Sequence, residues 1–420
     1  MKETIKNVIY GLAIGDAIGV PVEFLYRDDV RKVNIQKMEG VDTNFKYKEF
    51  SRWGDITPKG CYSDDTAMAL ASMDAYCTDY KNDKELLKTT MENFITWWNT
   101  GKYSSLTYPF GLGSCCNKSM EKYKKTKDVY NCGCTNIKDN GNGAMMRISP
   151  TCLDLYYSNI SLDEKIRKLR ASVSLTHAHP FNQMANVIYF LFFSKLIDTN
   201  DKYNAFNYIV NFDYSRYFDG DTIKVFDSIL NEHFLDIVDI EEKTNGYVVD
   251  TLEGVLFSIM NNNNFKDSIL CAVNLGYDTD TIAGITGTLA GALYGYENIP
   301  KDWVKDLRKK HYLDTMINKF YNKLRKEKDG RIMKKVFIIK WEELYSNGEY
   351  SSGVSYVFDT LEKAKNMLQT IKKDDLEIYM KDENYEKEDI LKEDETSIMF
   401  DFLDKYDEYI KYEIIEEEVK

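Results

Sequence analysis

The chain has 420 residues, with 55 basic and 68 acidic side chains, a formal net charge of −13 and 43% hydrophobic residues. That length allows two or three domains and a sizeable core. The acidic balance argues against a protein that coats nucleic acid, which needs Lys and Arg clustered against phosphates. The charge is uneven: residues 331–420 hold 14 basic and 24 acidic side chains, a net of −10, which leaves −3 over residues 1–330. A nearly neutral body therefore precedes an acidic segment, for which a basic partner is expected.

No run of about 18 consecutive apolar residues is present, so no membrane span is expected. Asp16 interrupts the apolar start and makes it a poor signal peptide, so the expected location is cytoplasmic. Gly11-Leu-Ala-Ile-Gly-Asp-Ala-Ile-Gly19 carries Gly at every fourth position. It lacks the G-x-G-x-x-G spacing and the Lys of a phosphate loop, so a tightly packed helix with a buried acid is the better reading. Helices are predicted over 64–76, 84–100, 184–197, 268–274 and 279–294 from their apolar periodicity. The last of these carries Gly284, Gly287 and Gly291 and runs to Gly295. Gly weakens a helix relative to Ala, so a face lined with it implies a buried helix closely approached by another.

After Lys334 the pattern changes. Strands are predicted over 335–341, 353–358, 376–380 and 409–415, with a helix over 360–373 capped by Thr360. The basic stretch 319–330 reads as a separator, and the charge-rich stretch 374–395 as a long loop. The expectation is an all-α body over 1–330 followed by a small acidic α+β domain over 331–420.

Eight cysteines stand at 61, 77, 115, 116, 132, 134, 152 and 271. Reduced thiols fit a chain without a secretory signal. Cys115-Cys116 and Cys132-Gly-Cys134 suggest zinc by proximity, but the spacing matches no common ligand pair, and free thiols are the better reading. His177 and His179 flank one residue; His at i and i+2 diverge on a helix, so one of them on a ligand is favoured over a metal pair.

The most informative residues are two acidic clusters, Tyr62-Ser-Asp-Asp-Thr66 and Asp278-Thr-Asp-Thr281, each where a helix begins. Either alone reads as capping, since Asp accepts orphan N–H groups and suits the helix dipole. Together they supply four Asp and several hydroxyls with no soft ligand, the composition of a site for Mg²⁺ or Mn²⁺. Sequence spacing does not decide between these readings. Gly141-Asn-Gly-Ala-Met-Met-Arg147 is either a connecting turn or a backbone cradle for a pyrophosphate.

Taken in order, the segments 11–24, 62–71, 141–150, 175–180, 246–258 and 274–295 resemble the ADP-ribosylglycohydrolase family, relatives of dinitrogenase reductase-activating glycohydrolase. The resemblance covers about residues 3–310 and nothing after about 330. It implies an all-α fold around two Mg²⁺ or Mn²⁺ ions. By motif, the metal ligands would be Ser63, Asp64, Asp65, Asp278, Asp280 and Thr281, with Ser63 standing where relatives commonly have Thr. Glu23, Asp64 and Asp65 would be catalytic. Asn142, Gly143 and Ala144 would lie against the pyrophosphate of ADP-ribose, His177 would touch the same region, and Tyr247 would border the ribose or adenine.

The implied reaction is hydrolysis of the glycosidic bond between ADP-ribose and an acceptor, through an oxocarbenium-like transition state, with a carboxylate such as Glu23 handling the proton. The substrate would be an ADP-ribosylated protein, with arginine the first acceptor to test, or another ADP-ribose conjugate. One departure stands out: Gly111 occupies the position where arginine-directed relatives carry an acid, and Asp139 is a nearby substitute. That departure keeps open other linkages (serine, a nucleic-acid end, a small conjugate) and a non-catalytic ADP-ribose-binding module.

Overall fold

The computed structural model describes residues 1–45, 52–53, 56–240, 244–331, 334–344, 350–358, 361–379, 391–393, 397–401 and 409–419. The chain forms two compact units, Met1–Arg325 and Lys326–Lys420. The first is helical. Lys2–Gly19 forms α1 and Arg27–Val33 forms α2, which ends on Asn34 in the left-handed region. Ser63 caps α3 (Asp64–Tyr76), and Asn82 caps α4 (Asp83–Thr100), which closes on Gly101 at φ 73°. Then come α5 (Ser114–Thr126), α6 (Ser149–Tyr157) with Pro150 in its first turn, and α7 (Leu162–Ser174) capped by Ser161. His179 caps α8 (Pro180–Thr199), and Asp201 and Asp219 cap α9 (Lys202–Val210) and the short α10 (Gly220–Lys224). The rest are α11 (Val248–Met260), α12 (Phe265–Val273), α13 (Thr279–Tyr294), α14 (Lys301–Asp306) and α15 (Lys310–Arg331).

The α1–α13 pair organises this unit. A Cβ at Gly11 would fall 2.0 Å from the Gly287 carbonyl oxygen, one at Gly15 2.0 Å from that of Ala283, and one at Gly291 2.1 Å from that of Asn7. Backbone thus lies on backbone, which only Gly permits. The contact also fixes the helix starts: Thr279 Oγ1 donates to the Gly19 carbonyl at 2.9 Å. Gly284 and Gly295 belong less to this face, since a Cβ at each would meet nothing closer than 3.3 Å. The span Lys2–Val22 has the length and composition of a membrane helix, but 94% of it is buried inside the fold. It packs as a core helix, with Asp16 fully buried.

One expectation needs correction here, and another takes helical form. The boundary between the two units falls at Arg325/Lys326, within the basic stretch 319–330 read as a separator, and that stretch is part of α15. Leu313, Ile317, Phe320 and Leu324 are buried at helical spacing, with the basic residues between them, so the segment is an amphipathic helix. Leu376–Tyr379 is not a strand; it completes a helix, α16 (Leu361–Tyr379). No Gly or Pro interrupts residues 361–379, so nothing stops that helix where the alternating pattern begins. Thr360, Met380 and most of the expected loop lie outside the described residues.

The second unit is an antiparallel sheet of β1 (Lys334–Leu344), β2 (Tyr350–Phe358), β3 (Leu391–Glu393), β4 (Ser397–Asp401) and β5 (Tyr409–Val419). The strand order is β2-β1-β5-β4-β3, so the last strand lies at the centre beside the first. They pair from Lys334↔Val419 to Leu344↔Tyr409. Ala364, Leu368 and Ile371 of α16 and Ile339 of β1 are buried, the small core of this unit.

Candidate active site and metal centre

Three segments carry carboxylates to one place. Asp16 projects from α1 to the start of α3, where it accepts from Ser63 N at 2.8 Å, Thr66 N at 3.1 Å and Thr66 Oγ1 at 2.6 Å. It thereby supplies acceptors that the first turn of α3 lacks. Ser63 caps the same turn, accepting from Asp65 N at 3.3 Å and donating to Asp65 Oδ2 at 2.9 Å. Asp64 and Asp65 are thus held at the N-terminus of α3, where the helix dipole favours negative charge.

The second cluster starts α13. Asp278 Oδ2 accepts from Asn142 Nδ2 at 2.6 Å, and Asp280 Oδ1 from Thr281 N at 2.9 Å. Thr281 Oγ1 reaches Asp65 Oδ2 at 3.4 Å, which joins two clusters 216 residues apart in sequence. The third contribution is Glu23, just past α1. Phe24 and Tyr277 both hold positive φ, and the bonds Phe24 N to Tyr277 O (2.5 Å) and Tyr277 N to Leu25 O (2.8 Å) tie the two segments together. One carboxylate oxygen each from Glu23, Asp278 and Asp280 falls within 4.8 Å of the others.

These acids are buried, and among the described residues none of them forms a salt bridge. Burial and mutual repulsion push Asp64 up to about 8, and Glu23, Asp65 and Asp280 well above their usual range. Burial raises Asp278 less, since Asn142, Thr281 and Asp280 hydrogen bond to it, and Asp16 rises to about 6. Glu23 Oε2 and Asp65 Oδ1 are buried with no hydrogen-bond partner. Buried carboxylates in this state demand either protons or a cation. The donor set is all hard oxygen, which fits an alkaline-earth ion or Mn²⁺ and not a thiophilic one.

Glu23, Asp64, Asp65, Asp278 and Asp280 line a cleft of about 400 Å³. The turn Gly141–Gly143 lines the same cleft, strapped down by Asn142 N to Gly246 O and Val248 N to Asn140 O, both 2.9 Å. A Cβ at Gly143 would lie 3.1 Å from Cys116 Sγ and His177 Cε1, so the turn and its neighbours are close-fitted. His177 is buried behind it, and burial together with Arg147 takes its pKa down to about 3, so the ring is neutral. Its Nδ1 lies 2.9 Å from Thr176 Oγ1, which accepts from the buried Arg147 at 2.8 Å.

Of the residues expected at the site, Glu23, Asp64, Asp65, Asp278, Asp280, Thr281, Asn142, Gly143 and His177 line this cleft. Ser63, Ala144 and Tyr247 do not. Ser63 caps α3, Ala144 is fully buried beside the turn, and Tyr247 heads α11 as a half-buried residue. Asn142 also does more than touch a ligand region, because its amide holds both Asp278 and Thr251 Oγ1 (2.9 Å). His179 caps α8 and faces Asn140 Nδ2 at 3.0 Å, so the two histidines serve separate ends, and neither is helical.

Sequence reasoning missed Phe24, Cys116, Asn245 and Gly246 on the lining. The Asn245-Gly246 pair is a turn signal that could have flagged its segment. Gly111 also lines the cleft; at φ 92°, a Cβ there would lie 2.1 Å from Asp64 Oδ1.

A helical body thus gathers hard oxygen donors at two helix starts in one cleft that a glycine turn also lines. The chain belongs to the ADP-ribosylglycohydrolase family, whose model matches residues 1–330. It is 30% identical over 317 residues to ADP-ribosylarginine hydrolase Tri1 of Serratia proteamaculans, covering 75% of this chain and 78% of that one. It is 26% identical over 302 residues to ADP-ribosyl-[dinitrogen reductase] glycohydrolase of Rhodospirillum rubrum, covering 71% and 87%. The fold is shared with a solved structure titled ADP-ribosylglycohydrolase-related protein complex, at TM-score 0.61 and 22% identity, over 77% of this chain and 98% of that one.

Proposed function

We propose that this chain hydrolyses the glycosidic bond between ADP-ribose and a modified acceptor, with ADP-ribosyl-arginine on protein as the first substrate to test. The observation that carries this reading is the convergence of Glu23, Asp64, Asp65, Asp278, Asp280 and Thr281 in one cleft that the Gly141–Gly143 turn also lines. Family membership and the names of the relatives support the same reaction class.

Asp64, Asp65, Asp278, Asp280 and Thr281 would hold two Mg²⁺ or Mn²⁺ ions, with Ser63 fixing Asp65 from behind. When bound, such ions supply charge neutralisation, a grip on a ribose diol and a lowered pKa for water. The chain's own residues do the rest. Asn142 orients Asp278. The small residues of the turn let a pyrophosphate approach the backbone. In the tautomer favoured by Arg147 donating to Thr176 and Thr176 donating to His177 Nδ1, His177 Nε2 carries a proton beside Gly141 and Gly143. Glu23, whose Oε2 lacks a partner, is placed to accept a proton from attacking water or to return one to the leaving group.

The chemistry is assigned to residues 1–330, and the acidic 331–420 unit to contact with a basic partner, on its net charge of −10. A second reading, hydrolysis of another ADP-ribose linkage, is favoured by Gly111, where no side chain fits without moving Asp64. Both are tested by measuring free ADP-ribose released from arginine-, serine- and nucleic-acid-linked substrates, with Mg²⁺, with Mn²⁺ and with EDTA. Arginine-linked release abolished by EDTA, by Asp64→Ala and by Asp278→Ala supports the first reading. Release confined to another linkage selects the second, and no release from any of the three sinks the catalytic reading.

A further inference from the structure

The cleft carries a second donor group of different chemistry. Cys115 stands in the first turn of α5, and Cys134 and Asp139 come from the segment between α5 and α6. The sulfurs of Cys115 and Cys134 and a carboxylate oxygen of Asp139 lie within 4.8 Å of one another. A tetrahedral Zn²⁺, with bonds of about 2.3 Å to sulfur and about 2.0 Å to oxygen, spaces its ligands roughly 3.5–3.8 Å apart. Shifts of about 1 Å or less therefore close the three donors on an ion.

The backbone beneath them is already pinned. Cys134 N donates to Thr176 O at 2.9 Å, and Ala178 N donates to Cys134 O at 2.7 Å. What the thiols hold now is weak and exchangeable: Cys115 Sγ donates to the Asp139 carbonyl at 3.5 Å, Cys134 Sγ to the Cys115 carbonyl at 3.8 Å, and Ser119 Oγ is 3.8 Å from Cys134 Sγ. Lys118 Nζ sits 2.9 Å from Asp139 Oδ1.

We propose that Cys115, Cys134 and Asp139 form a binding site for a thiophilic divalent cation, Zn²⁺ foremost, on the wall of the cleft and separate from the carboxylate centre. Both cysteines bind as thiolates, so their two protons pass to solvent as the ion enters. Two thiolates, one carboxylate and a dication leave one net negative charge, and Lys118 stands beside it to balance that charge. Cys115 and Asp139 both line the cleft, so the fourth position is open to water or to whatever occupies the cleft. Ligand softness sorts the ions: thiolates draw Zn²⁺, while the all-oxygen cluster draws Mg²⁺ or Mn²⁺. The inference does not depend on the proposed reaction.

The test uses the full chain, reduced and stripped of metal under anaerobic conditions, and titrated with Co²⁺ as the spectroscopic probe. The expected result is a near-ultraviolet thiolate-to-Co²⁺ charge-transfer band that saturates at one equivalent, survives excess Mg²⁺ and is abolished by one equivalent of Zn²⁺. Cys115→Ser and Cys134→Ser should each lose the band. Cys77→Ser and Cys271→Ser, which alter half-exposed thiols elsewhere, should keep it. Asp139→Asn should weaken Co²⁺ binding about tenfold or more, as changes around metal sites generally do. A folded wild-type chain that gives no thiolate band overturns the proposal, as does a band that survives Cys134→Ser. Should the cysteine variants not fold, Asp139→Asn decides, and unchanged Co²⁺ affinity in that variant overturns the site.

Discussion

Gly111→Ala separates strain from site chemistry. The backbone at Gly111 has φ 92°, and an added methyl carbon would lie 2.1 Å from Asp64 Oδ1 and 2.9 Å from Asp64 Cγ. Forcing Ala into that backbone region costs roughly 1–3 kcal/mol, a fall in melting temperature of roughly 2–6 °C for a unit of this size. The clash itself is cheap to relieve, because Asp64 Oδ1 is the end of a side chain. It must retreat by about 0.9 Å to reach 3.0 Å, the shortest contact real Cβ atoms tolerate.

Metal ligands hold their distances to about 0.2 Å, so that retreat would remove Asp64 from the proposed metal centre. Mn²⁺ affinity should then fall about 10–100-fold, far out of proportion to the loss of stability. Calorimetric Mn²⁺ titration and thermal melts in EDTA measure the two effects separately. A variant that melts lower yet binds Mn²⁺ like the wild type would refute the reasoning. So would one with no change in either quantity.

Three further outcomes follow from the same geometry. Asn142→Ala strips Asp278 of a 2.6 Å hydrogen bond inside a buried cluster; it should cost about 1–3 kcal/mol and about tenfold in Mn²⁺ affinity, read by urea melts and titration. Gly287→Ala places a methyl 2.1 Å from the Gly11 carbonyl oxygen, backbone against backbone, and should cost about 3 kcal/mol or more, whereas Gly113→Ala meets nothing within 4 Å and should melt near the wild type.

In EDTA, stability should rise as pH falls through about 8. Burial holds Asp64 near 8 and Asp16 near 6, against 3.8 in the unfolded chain. The folded chain therefore binds the extra protons between those limits, and that contribution is lost as pH rises through the folded values. A divalent ion at the proposed centre would replace those protons, so the melting shift produced by Mg²⁺ should be larger at about pH 8.5 than at about pH 6. Equal shifts at both would contradict this.

Much of the site was legible because its residues do two jobs at once. Asp64-Asp65 and Asp278/Asp280 stand at helix starts, and a helix start followed by an apolar run is a local pattern that a sequence displays. Their meeting, through Thr281 and Asp65, is not local, and spacing alone could not supply it; the ordered motifs of the family resemblance did. Gly11, Gly15, Gly287 and Gly291 gave away the close helix pair by their period.

What stayed hidden was decided by neighbours in space. Ser63 matches the ligand motif, and its hydroxyl also caps α3 and donates to Asp65, which the motif does not display. Tyr247 and Ala144 sit beside the right turn with their side chains off the cleft. Leu376–Tyr379 alternates like a strand, yet nothing in its sequence breaks the helix it continues. Residues 319–330 read as a separator by charge, while Phe320 and Leu324 carried the helical period.

The α1–α13 contact also dictates when the site can exist. Glu23, Asp64 and Asp65 are translated long before Asp278 and Asp280, and the bond from Thr279 to Gly19 spans 260 residues. Such distant pairings raise contact order and delay folding. On the ribosome, α1 must wait, its glycine face uncovered, until almost the whole first unit has been made. During that wait it is an exposed apolar helix open to chaperones or to misassembly. The acidic cleft is thus among the last features to form, and a chain that stops before α13 has only half of it.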